Sequence, residues 1–246
     1  EDIAVLYRTN AQSRAFEGEL RKNNIPYRIY GGTSFYQRKE IKDTLAYFRL
    51  AVNPKDNEAL LRALTFPSRG IGDTTMKKVT LCAIENNQSY LEVMRHPDNF
   101  PLDMSGPMRK KISAFAAMID EMAVQSEEMD AFRFAEMLLK QTGLTTALMM
   151  DRTTEGIDRA QNVQELLNAI REFVTQRANE GIDYTPITDF LSEVSLMTDQ
   201  DDNQADTTDR VTLMTVHAAK GLEFPVVYIV GLEENLFPSQ FCTTQY

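Results

Sequence analysis

The strongest constraint on the fold is a pair of predicted strands near the end of the chain. One strand covers residues 211–216, and the other covers the apolar run 226–230. An uninterrupted apolar run predicts a strand that is buried on both faces, as in a parallel sheet. The polar turn between the strands carries His217, Lys220 and Glu223. Because ligands of open α/β sheets gather where strands meet loops, this turn is a candidate binding site.

The rest of the chain divides into a short α/β part and a long helical part. Strands are predicted at residues 3–7 and 26–30, with Thr9 or Asn10 capping a helix between them. We expect the strands at both ends of the chain to join one sheet. The predicted fold class is therefore mostly α with a small α/β part, in which a helical insertion interrupts an incomplete parallel sheet. Apolar residues recur at helical spacing most clearly in residues 108–122, 131–139, 163–173 and 187–194.

Charge and composition exclude several classes of protein. The net charge is −10, so no broad basic face coats nucleic acid, and any contact with DNA must be local. No apolar stretch approaches the roughly 20 residues that span a bilayer, and no signal-like N-terminus is present. The two cysteines, Cys82 and Cys242, lack the spacing of a disulfide framework or a zinc site. We therefore expect a globular cytoplasmic protein with no membrane partner.

Five aspartates are concentrated in residues 199–209, which show no apolar periodicity. This composition predicts a solvated linker. The run lacks the glycine and the terminal glutamate of a calcium-binding loop. We predict no metal site, and with two histidines in the chain we find no arrangement of side chains that forms a catalytic site.

Three blocks of sequence carry a resemblance to a known family. They are TVHAAKGLEFP at residues 215–225, AVLYRTNAQSR at residues 4–14 and RGIG at residues 69–72. PYRIYGG at residues 26–32 and FYQRKEIKD at residues 35–43 continue the match. In this order the blocks resemble those of superfamily 1 DNA helicases in the branch that contains UvrD, PcrA and Rep. The block at residues 215–225 is similar to motif V of that family.

The resemblance implies a division of the chain into four parts. In this family a mobile helical domain, 2B, is inserted into the second RecA-like domain, 2A. Residues 1–37 and 210–246 are expected to be partial segments of domain 2A, residues 38–198 the 2B-like insertion, and residues 199–209 the acidic linker. Domains 1A and 1B and the rest of 2A would lie outside the chain. We therefore expect the chain to be part of a longer helicase.

The resemblance also implies ATP and Mg²⁺ as cofactors of the longer protein. The chain contains no GxxxxGK(S/T) motif, which supplies the phosphate cradle, the lysine and the Mg²⁺ hydroxyl of a P-loop ATPase. We expect no catalytic residue in this chain, no cofactor bound to it alone, and no ATP hydrolysis by it alone. Glu223, with Gly221 beside it, is expected to contact the nucleotide, since an ionised carboxylate can accept from a ribose hydroxyl.

In the family, the block that contains RGIG contacts duplex DNA. Two glycines flanking one apolar residue let the backbone approach a phosphate, and Asp73 or Thr74 can cap the helix that follows. The same pattern is typical of an ordinary connection between two helices. With the resemblance, we expect a sequence-independent duplex contact. Its residues are Arg69, Gly70, Ile71, Gly72 and Thr74, with Lys77 or Lys78 available to add charge.

The resemblance places single-stranded DNA against the ends of two strands. Arg8 and Asn10 follow the first strand, and His217 and Lys220 lie in the motif V turn. His217 and Lys220 can hydrogen-bond or neutralise phosphates. The alternatives are an ion pair with a surface carboxylate for Arg8 and helix capping for Asn10. Tyr7 can stack a base, but a tyrosine that closes an apolar strand is more typical of the core.

Two functions remain open. In the first, the chain is part of an ATP-dependent 3′-to-5′ DNA helicase of repair or replication, with a single-strand/duplex DNA junction and repair proteins as partners. In the second, it is a non-catalytic helical module that docks proteins or restrains the motor and has little DNA affinity of its own. The net charge of −10 favours the second for the isolated chain, and the RGIG block favours the first. A nuclease-linked relative of the same helicases is a third interpretation.

Overall fold

A computed structural model of the chain describes residues 2–203 and 209–233. The strands are β1 (Ile3–Tyr7), β2 (Tyr27–Ile29), β3 (Val211–Thr215) and β4 (Val226–Ile229). The helices in the described ranges are α1 (Ser13–Lys22), α2 (Lys39–Val52), α3 (Asn57–Ala63), α4 (Asp73–Glu85), α5 (Tyr90–Arg95), α6 (Gly106–Glu128), α7 (Ala131–Gln141), α8 (Leu144–Met150), α9 (Thr154–Asn179) and α10 (Ile187–Asn203). Single 3₁₀ turns cover Asn10–Gln12, Phe35–Gln37 and Pro97–Asn99.

The prediction that both ends of the chain build one sheet is confirmed. The strand order is β2-β3-β1-β4, and every neighbouring pair is parallel. β1 lies between two strands from the other end of the chain, pairing Ala4 with Thr212 on β3 and Ile3 with Val226 on β4. Strands that are distant in sequence are therefore neighbours in space, and the helices α2 to α10 are inserted between them in the chain.

The last strand differs from the prediction. We expected β4 to be buried on both faces, but its four side chains are between 40% and 56% exposed. β4 pairs with β1 on one side, and no described residue pairs with its other side. An apolar run indicates a strand that is suited to burial. It does not indicate whether the elements that would cover the strand are among the residues present.

Contacts between residues divide the chain into two compact units. The sheet unit consists of the described residues within 1–41, 153–165 and 194–246, and the helical unit consists of residues 42–152 and 166–193. The core of the sheet unit is formed by Tyr7, Tyr27 and Leu213, which are at most 6% exposed. The prediction that Tyr7 is a core residue is therefore confirmed.

The helical unit shows local signals that start and orient its helices. Asp130 precedes α7, and its carboxylate accepts hydrogen bonds of 3.0 Å from the backbone N–H groups of Phe132 and Arg133. A cap of this kind satisfies amides that have no partner within the helix. The apolar face of α7 carries Phe134, which is fully buried and packs against Phe48 of α2 with ring centroids 6.2 Å apart.

All four helices that the apolar periodicity predicted extend beyond their predicted bounds, and α9 and α10 do so most. α9 covers Thr154–Asn179 where residues 163–173 were predicted, and α10 continues to Asn203. Residues 199–203 are therefore helical, although they were predicted to begin the acidic linker, and residues 204–208 lie outside the described residues. Apolar periodicity marks the buried part of a helix, whereas each further polar residue adds to a formed helix at little cost. None of the described helices is long and apolar enough to cross a bilayer.

Candidate nucleic-acid interfaces

The carboxyl ends of the parallel strands bring two predicted DNA contacts together. Arg8 directly follows β1, and His217 lies two residues after β3. The Val216 N–H donates to the Tyr7 carbonyl at 2.9 Å, which extends the pairing of the strands to their ends. The Nη1 atom of Arg8 lies 3.2 Å from Nδ1 of His217, and this contact is exposed to solvent. We name Arg8, Asn10, His217 and Lys220 the strand-end site.

The chemistry of the contact assigns the hydrogen-bonding role of each atom. A guanidinium has donors only, so Nδ1 of His217 is the acceptor and its proton is on Nε2. Nε2 is then a donor that has no partner among the described residues and can bind an acceptor such as a phosphate oxygen. The structure thus shows that Arg8 contacts His217. From the sequence, an ion pair with a surface carboxylate was an alternative for Arg8.

The backbone at Arg8 is held by its own neighbours. The side-chain oxygen of Gln12 accepts from the N–H groups of Arg8 and Thr9 at 2.9 and 3.0 Å. The N-cap position belongs to Thr9, and Asn10 is the first residue of the 3₁₀ turn. Capping therefore does not occupy Asn10, whose carbonyl accepts from Arg38 at 2.9 Å.

A buried polar network that we did not predict supports this corner of the sheet unit. Arg38 is 8% exposed and donates to Ser13 Oγ at 2.6 Å and to Asn162 Oδ1 at 2.9 Å. The carboxylate of Glu17 lies 3.9 Å from Arg38 and accepts from the Phe35 N–H at 3.0 Å. Burial lowers the pKa of Arg38, and burial followed by the nearby Glu17 charge raises the pKa of Tyr7 to about 12. These groups are structural, because they bind one another rather than face solvent.

The motif turn, residues 216–225, is stiffened by short-range hydrogen bonds. The Ala218 N–H donates to Thr215 Oγ1 at 3.2 Å, and the Leu222 N–H donates to the Ala219 carbonyl at 3.0 Å. Gly221 has φ +81°, a left-handed conformation that favours glycine. Lys220, Gly221 and Glu223 are all exposed. The turn therefore fixes the backbone of these residues and leaves the side chains of Lys220 and Glu223 accessible.

The loop after β2 lies against the motif turn. A Cβ placed on Gly31 would lie 3.4 Å from the Cβ of Ala218, so the two backbones approach closely. Glu223 occupies the other end of the turn, three residues before β4 begins beside Ile3. No hydrogen bond or ion pair joins Glu223 to Arg8 or His217 in the part of the chain that the structure describes. The predicted nucleotide contact and the strand-end site are thus at different positions along the turn.

The predicted duplex contact forms a tight loop before α4. We name residues 69–72 the glycine loop. Gly70 has φ +65°, and Ile71 is only 8% exposed and anchors the loop in the helical unit. Gly72 is the N-cap of α4 and provides no side-chain cap, so the N–H groups of Asp73 and Thr74 have no partner among the described residues. The loop therefore presents backbone donors to solvent, as a phosphate requires.

Arg69 points away from this surface. Its Nη2 atom donates to the Tyr47 hydroxyl at 3.1 Å and to the Thr142 carbonyl at 2.9 Å. Its guanidinium carbon also lies 5.3 Å from the centre of the Phe115 ring. Burial raises the pKa of Tyr47, and the charge of Arg69 opposes that shift. These contacts favour a structural role for Arg69, and its contact with DNA stays a prediction.

The lysines near the glycine loop differ in what they bind. Lys78 pairs with Asp103, with an Nζ to Oδ2 distance of 3.0 Å. Lys77 is exposed on α4 and forms no ion pair with a described residue. Lys111 of α6 was not predicted to take part, yet its Nζ atom is 3.0 Å from the position that a Cβ on Gly70 would occupy. No local sequence signal connects residue 111 with the loop.

A cleft of about 400 Å³ lies elsewhere in the helical unit, and its charges are largely compensated. Arg95 pairs with Asp120 and Glu92, and Arg109 donates to the carbonyls of Pro97 and Leu102. Among the described residues, no three His, Cys, Asp or Glu side chains are grouped so that they could hold a metal ion.

The fold defines a class of α/β protein in which a helical unit is inserted in a parallel sheet with polar strand ends. The chain belongs to the family of UvrD-like helicase C-terminal domains, whose model matches residues 1–245. It is 37% identical over 238 residues to the ATP-dependent DNA helicase PcrA of Staphylococcus aureus, a match that covers 97% of this chain and 32% of that relative. The PcrA helicase of Staphylococcus epidermidis is 37% identical over 237 residues, with 96% and 32% covered. The chain thus spans about a third of the length of these curated relatives.

Proposed function

We propose that the chain is part of an ATP-dependent DNA helicase that moves 3′-to-5′, and that it supplies DNA-contacting surfaces of the motor. The observation that carries the proposal is the contact between Arg8 and His217 at the carboxyl ends of neighbouring parallel strands. Membership of the family and similarity to relatives named ATP-dependent DNA helicases support it. The longer protein would act in repair or replication.

Single-stranded DNA would bind at the strand-end site. Lys220 and Nε2 of His217 provide exposed donors for phosphates, and Arg8 adds charge beside them. Asn10 has a side chain that is not used for capping. Because phosphate contacts position a strand without specifying its sequence, this site would bind any sequence.

The nucleotide would contact the other end of the motif turn. The exposed Glu223 carboxylate suits a ribose hydroxyl, and Gly221 sets the direction of the backbone before it. The phosphates and Mg²⁺ need a P-loop, which the sequence lacks. ATP and Mg²⁺ would therefore be held largely by domain 1A, and closing the nucleotide site would move His217 and Lys220 through the stiff turn.

Duplex DNA would bind at the glycine loop. The N–H groups of Asp73 and Thr74, which no described residue accepts, and the close approach allowed by Gly70 and Gly72 form a surface for the DNA backbone. Residues 38–198 would correspond to the 2B domain, residues 199–209 to the linker, and residues 1–37 and 210–246 to parts of domain 2A. The partners would be domains 1A and 1B, the rest of 2A and repair proteins in the cytoplasm.

A second candidate function is that of a docking or autoinhibitory module, which the net charge of −10 favours. The two functions make different predictions for the isolated chain. We expect no ATP turnover in either case, because the P-loop is absent from the sequence.

Fluorescence anisotropy distinguishes the two functions. A labelled 3′-tailed duplex, a blunt duplex and a single strand would each be titrated with the chain over a salt series. Salt-sensitive binding that prefers the duplex or the junction supports the helicase proposal. The absence of binding at low salt would contradict a direct DNA contact by this chain and favour the docking module.

A further inference from the structure

Arg38 contacts the backbone of the strand-end site from the interior of the sheet unit. It lies between the 3₁₀ turn Phe35–Gln37 and α2, and it is 8% exposed. Its Nη1 atom donates to the carbonyl of Asn10 at 2.9 Å. Its Nη2 atom donates at 2.6 Å to Oγ of Ser13, the first residue of α1. The guanidinium thus holds both ends of the segment through which the chain turns from β1 into α1.

This segment adjoins the side chains that are predicted to bind DNA. Arg8 lies two residues before Asn10, and its backbone N–H donates to the side chain of Gln12 at 2.9 Å. Gln12 holds the turn to itself, whereas Arg38 holds the turn to the rest of the sheet unit. The contact between Arg8 and His217 joins residues that follow different strands. It therefore depends on the direction in which the chain leaves β1.

The guanidinium of Arg38 is oriented by a second helix and by one carboxylate. Asn162 of α9 accepts from its Nη1 atom at 2.9 Å, and the Glu17 carboxylate lies 3.9 Å from its Nη2 atom. Removing charges from water is costly, and apolar residues of similar volume are often as stabilising as a buried ion pair. Stability alone is therefore a weak reason for a buried cation at this position. Fixing the backbone of an exposed binding site is a more specific one.

We propose that Arg38 is a positioning residue for single-stranded DNA, which it does not touch. Its two Nη atoms hold the backbone at Asn10 and Ser13, so that the guanidinium of Arg8 stays beside His217 at the exposed ends of the strands. The inference rests on the proposed single-strand contact and adds a residue that acts through Arg8.

The variant Arg38→Lys tests this role. Lysine keeps a cationic side chain but has one nitrogen, so it cannot replace both Nη atoms. Arg95→Lys is the matched control, because Arg95 also binds its partner, Asp120, through two nitrogens but belongs to the helical unit. Asn162→Ala is a milder change, which leaves Arg38 in place and removes one acceptor that orients it. Denaturant unfolding followed by circular dichroism measures the stability of each variant.

Two readouts separate positioning from structural support. The first is the slope of log K against log salt for binding of a single strand. The second is the nitrogen chemical shift of His217 Nδ1 in the chain without DNA, because this shift responds to the hydrogen bond from Arg8. It is recorded at a pH above the ordinary pKa of histidine. The chain has two histidines, so His96 provides an internal reference.

We expect Arg38→Lys to change both readouts. The single-strand slope becomes shallower by about 0.7, the value for one phosphate contact, because Arg8 is no longer held in place. The shift of His217 Nδ1 moves toward that of an imidazole in water. Asn162→Ala changes both readouts in the same direction by less, and Arg95→Lys changes neither.

The outcomes that contradict the proposal are distinct from a failure of the DNA contact itself. If Arg38→Lys leaves both readouts at the parent values, or if Arg95→Lys changes them equally, the role of Arg38 is overturned and the single-strand contact stands. If Arg38→Lys does not fold, unchanged readouts in Asn162→Ala overturn the role in the same way. If the parent binds no single strand at low salt, the single-strand contact and the role of Arg38 in it are both overturned.

Discussion

The strand-end site and the glycine loop obtain their exposed charges in different ways. At the strand-end site the predicted residues are the ones that face solvent, with Arg8 in contact with His217 and Lys220 exposed. At the glycine loop the cation beside the glycines, Arg69, is held in the helical unit by Tyr47 and Thr142. Lys111, whose ammonium group lies beside Gly70, comes from another helix.

This difference has a physical cause. Parallel strands end at one edge of a sheet, so residues that follow two strands become neighbours by geometry alone. A loop between helices has no such constraint, and each side chain turns toward whichever partner stabilises it most. A sequence motif is therefore a better guide to accessible groups at a strand end than in a loop between helices.

The largest effect is expected for Arg69→Ala. The change removes the donor to the Thr142 carbonyl and the packing against Phe115, and we expect the free energy of unfolding to fall by about 2 kcal/mol. Denaturant unfolding followed by circular dichroism measures it. Lys77→Ala, an exposed cation nearby, serves as the control and should change stability by less than about 0.5 kcal/mol. Equal effects of the two changes would contradict the structural role of Arg69.

A smaller effect separates the two glycines of the loop. Gly70→Ala places a Cβ at φ +65° and 3.0 Å from Lys111 Nζ, so we expect it to destabilise the chain by about 1–2 kcal/mol and to weaken duplex binding. Gly72→Ala meets no atom within 4 Å and has an extended φ of −95°, so it should lose only the preference for glycine over alanine at an N-cap and destabilise the chain less than Gly70→Ala. Thermal melts compare the pair. A larger loss for Gly72→Ala would show that the loop has a different conformation.

Lys220→Ala tests the strand-end site without a change in stability. The side chain is exposed. For single-strand binding, we expect the slope of log K against log salt to become shallower by about 0.7, the value for one phosphate contact on a single strand. Lys22→Ala removes a charge from another exposed position of the sheet unit and should leave the slope unchanged. A similar loss for both variants would assign the effect to net charge rather than to the site.

The smallest expected effect concerns Asp158, a carboxylate whose charge acts on Arg8. Burial raises the pKa of Asp158, Arg8 and Arg38 lower it, and Glu40 raises it. Because the net shift is upward, the folded state favours the neutral carboxyl. The ionised carboxylate therefore destabilises the folded state. This destabilisation is absent at a pH below the ordinary pKa of aspartate, and it is complete at a pH above the raised pKa of Asp158 in the folded state. Asp158→Asn should therefore stabilise the chain at neutral pH by about 0.5 kcal/mol or less, since solvent screens the charge.

Unfolding at two pH values checks this sign. The gain from Asp158→Asn should disappear in acid, where the aspartate is protonated in both states. A gain that persists in acid, or a loss at neutral pH, would show that the ionised carboxylate is not costly in the folded state.

Much of the sheet was predictable because its signals are local. β1 has the predicted bounds, and the polar turn after β3 lies where the residue types indicated. The exposure of β4 was not predictable, since an apolar run does not reveal which neighbours are present. The ends of α9 were also missed, because its outer turns carry polar residues without periodicity.

The glycine loop shows a different limit of the sequence. The two glycines indicated a tight backbone, and φ +65° at Gly70 agrees with that. The orientation of Arg69 depends on Tyr47 and Thr142, which are 22 and 73 residues away in sequence. The approach of Lys111 likewise depends on the packing of α6. Neither contact leaves a local pattern that sequence analysis can recognise.

The most direct test of two separate DNA surfaces is to map amide chemical shifts of the isotope-labelled chain by NMR. Spectra would be recorded with a blunt duplex and, separately, with a single strand. We predict that the duplex shifts the amides of residues 70–74 and leaves those of residues 217–220 unchanged, and that the single strand does the reverse. If both ligands shift the same set of amides, or if neither set responds to a ligand that binds, the assignment of the two surfaces is contradicted.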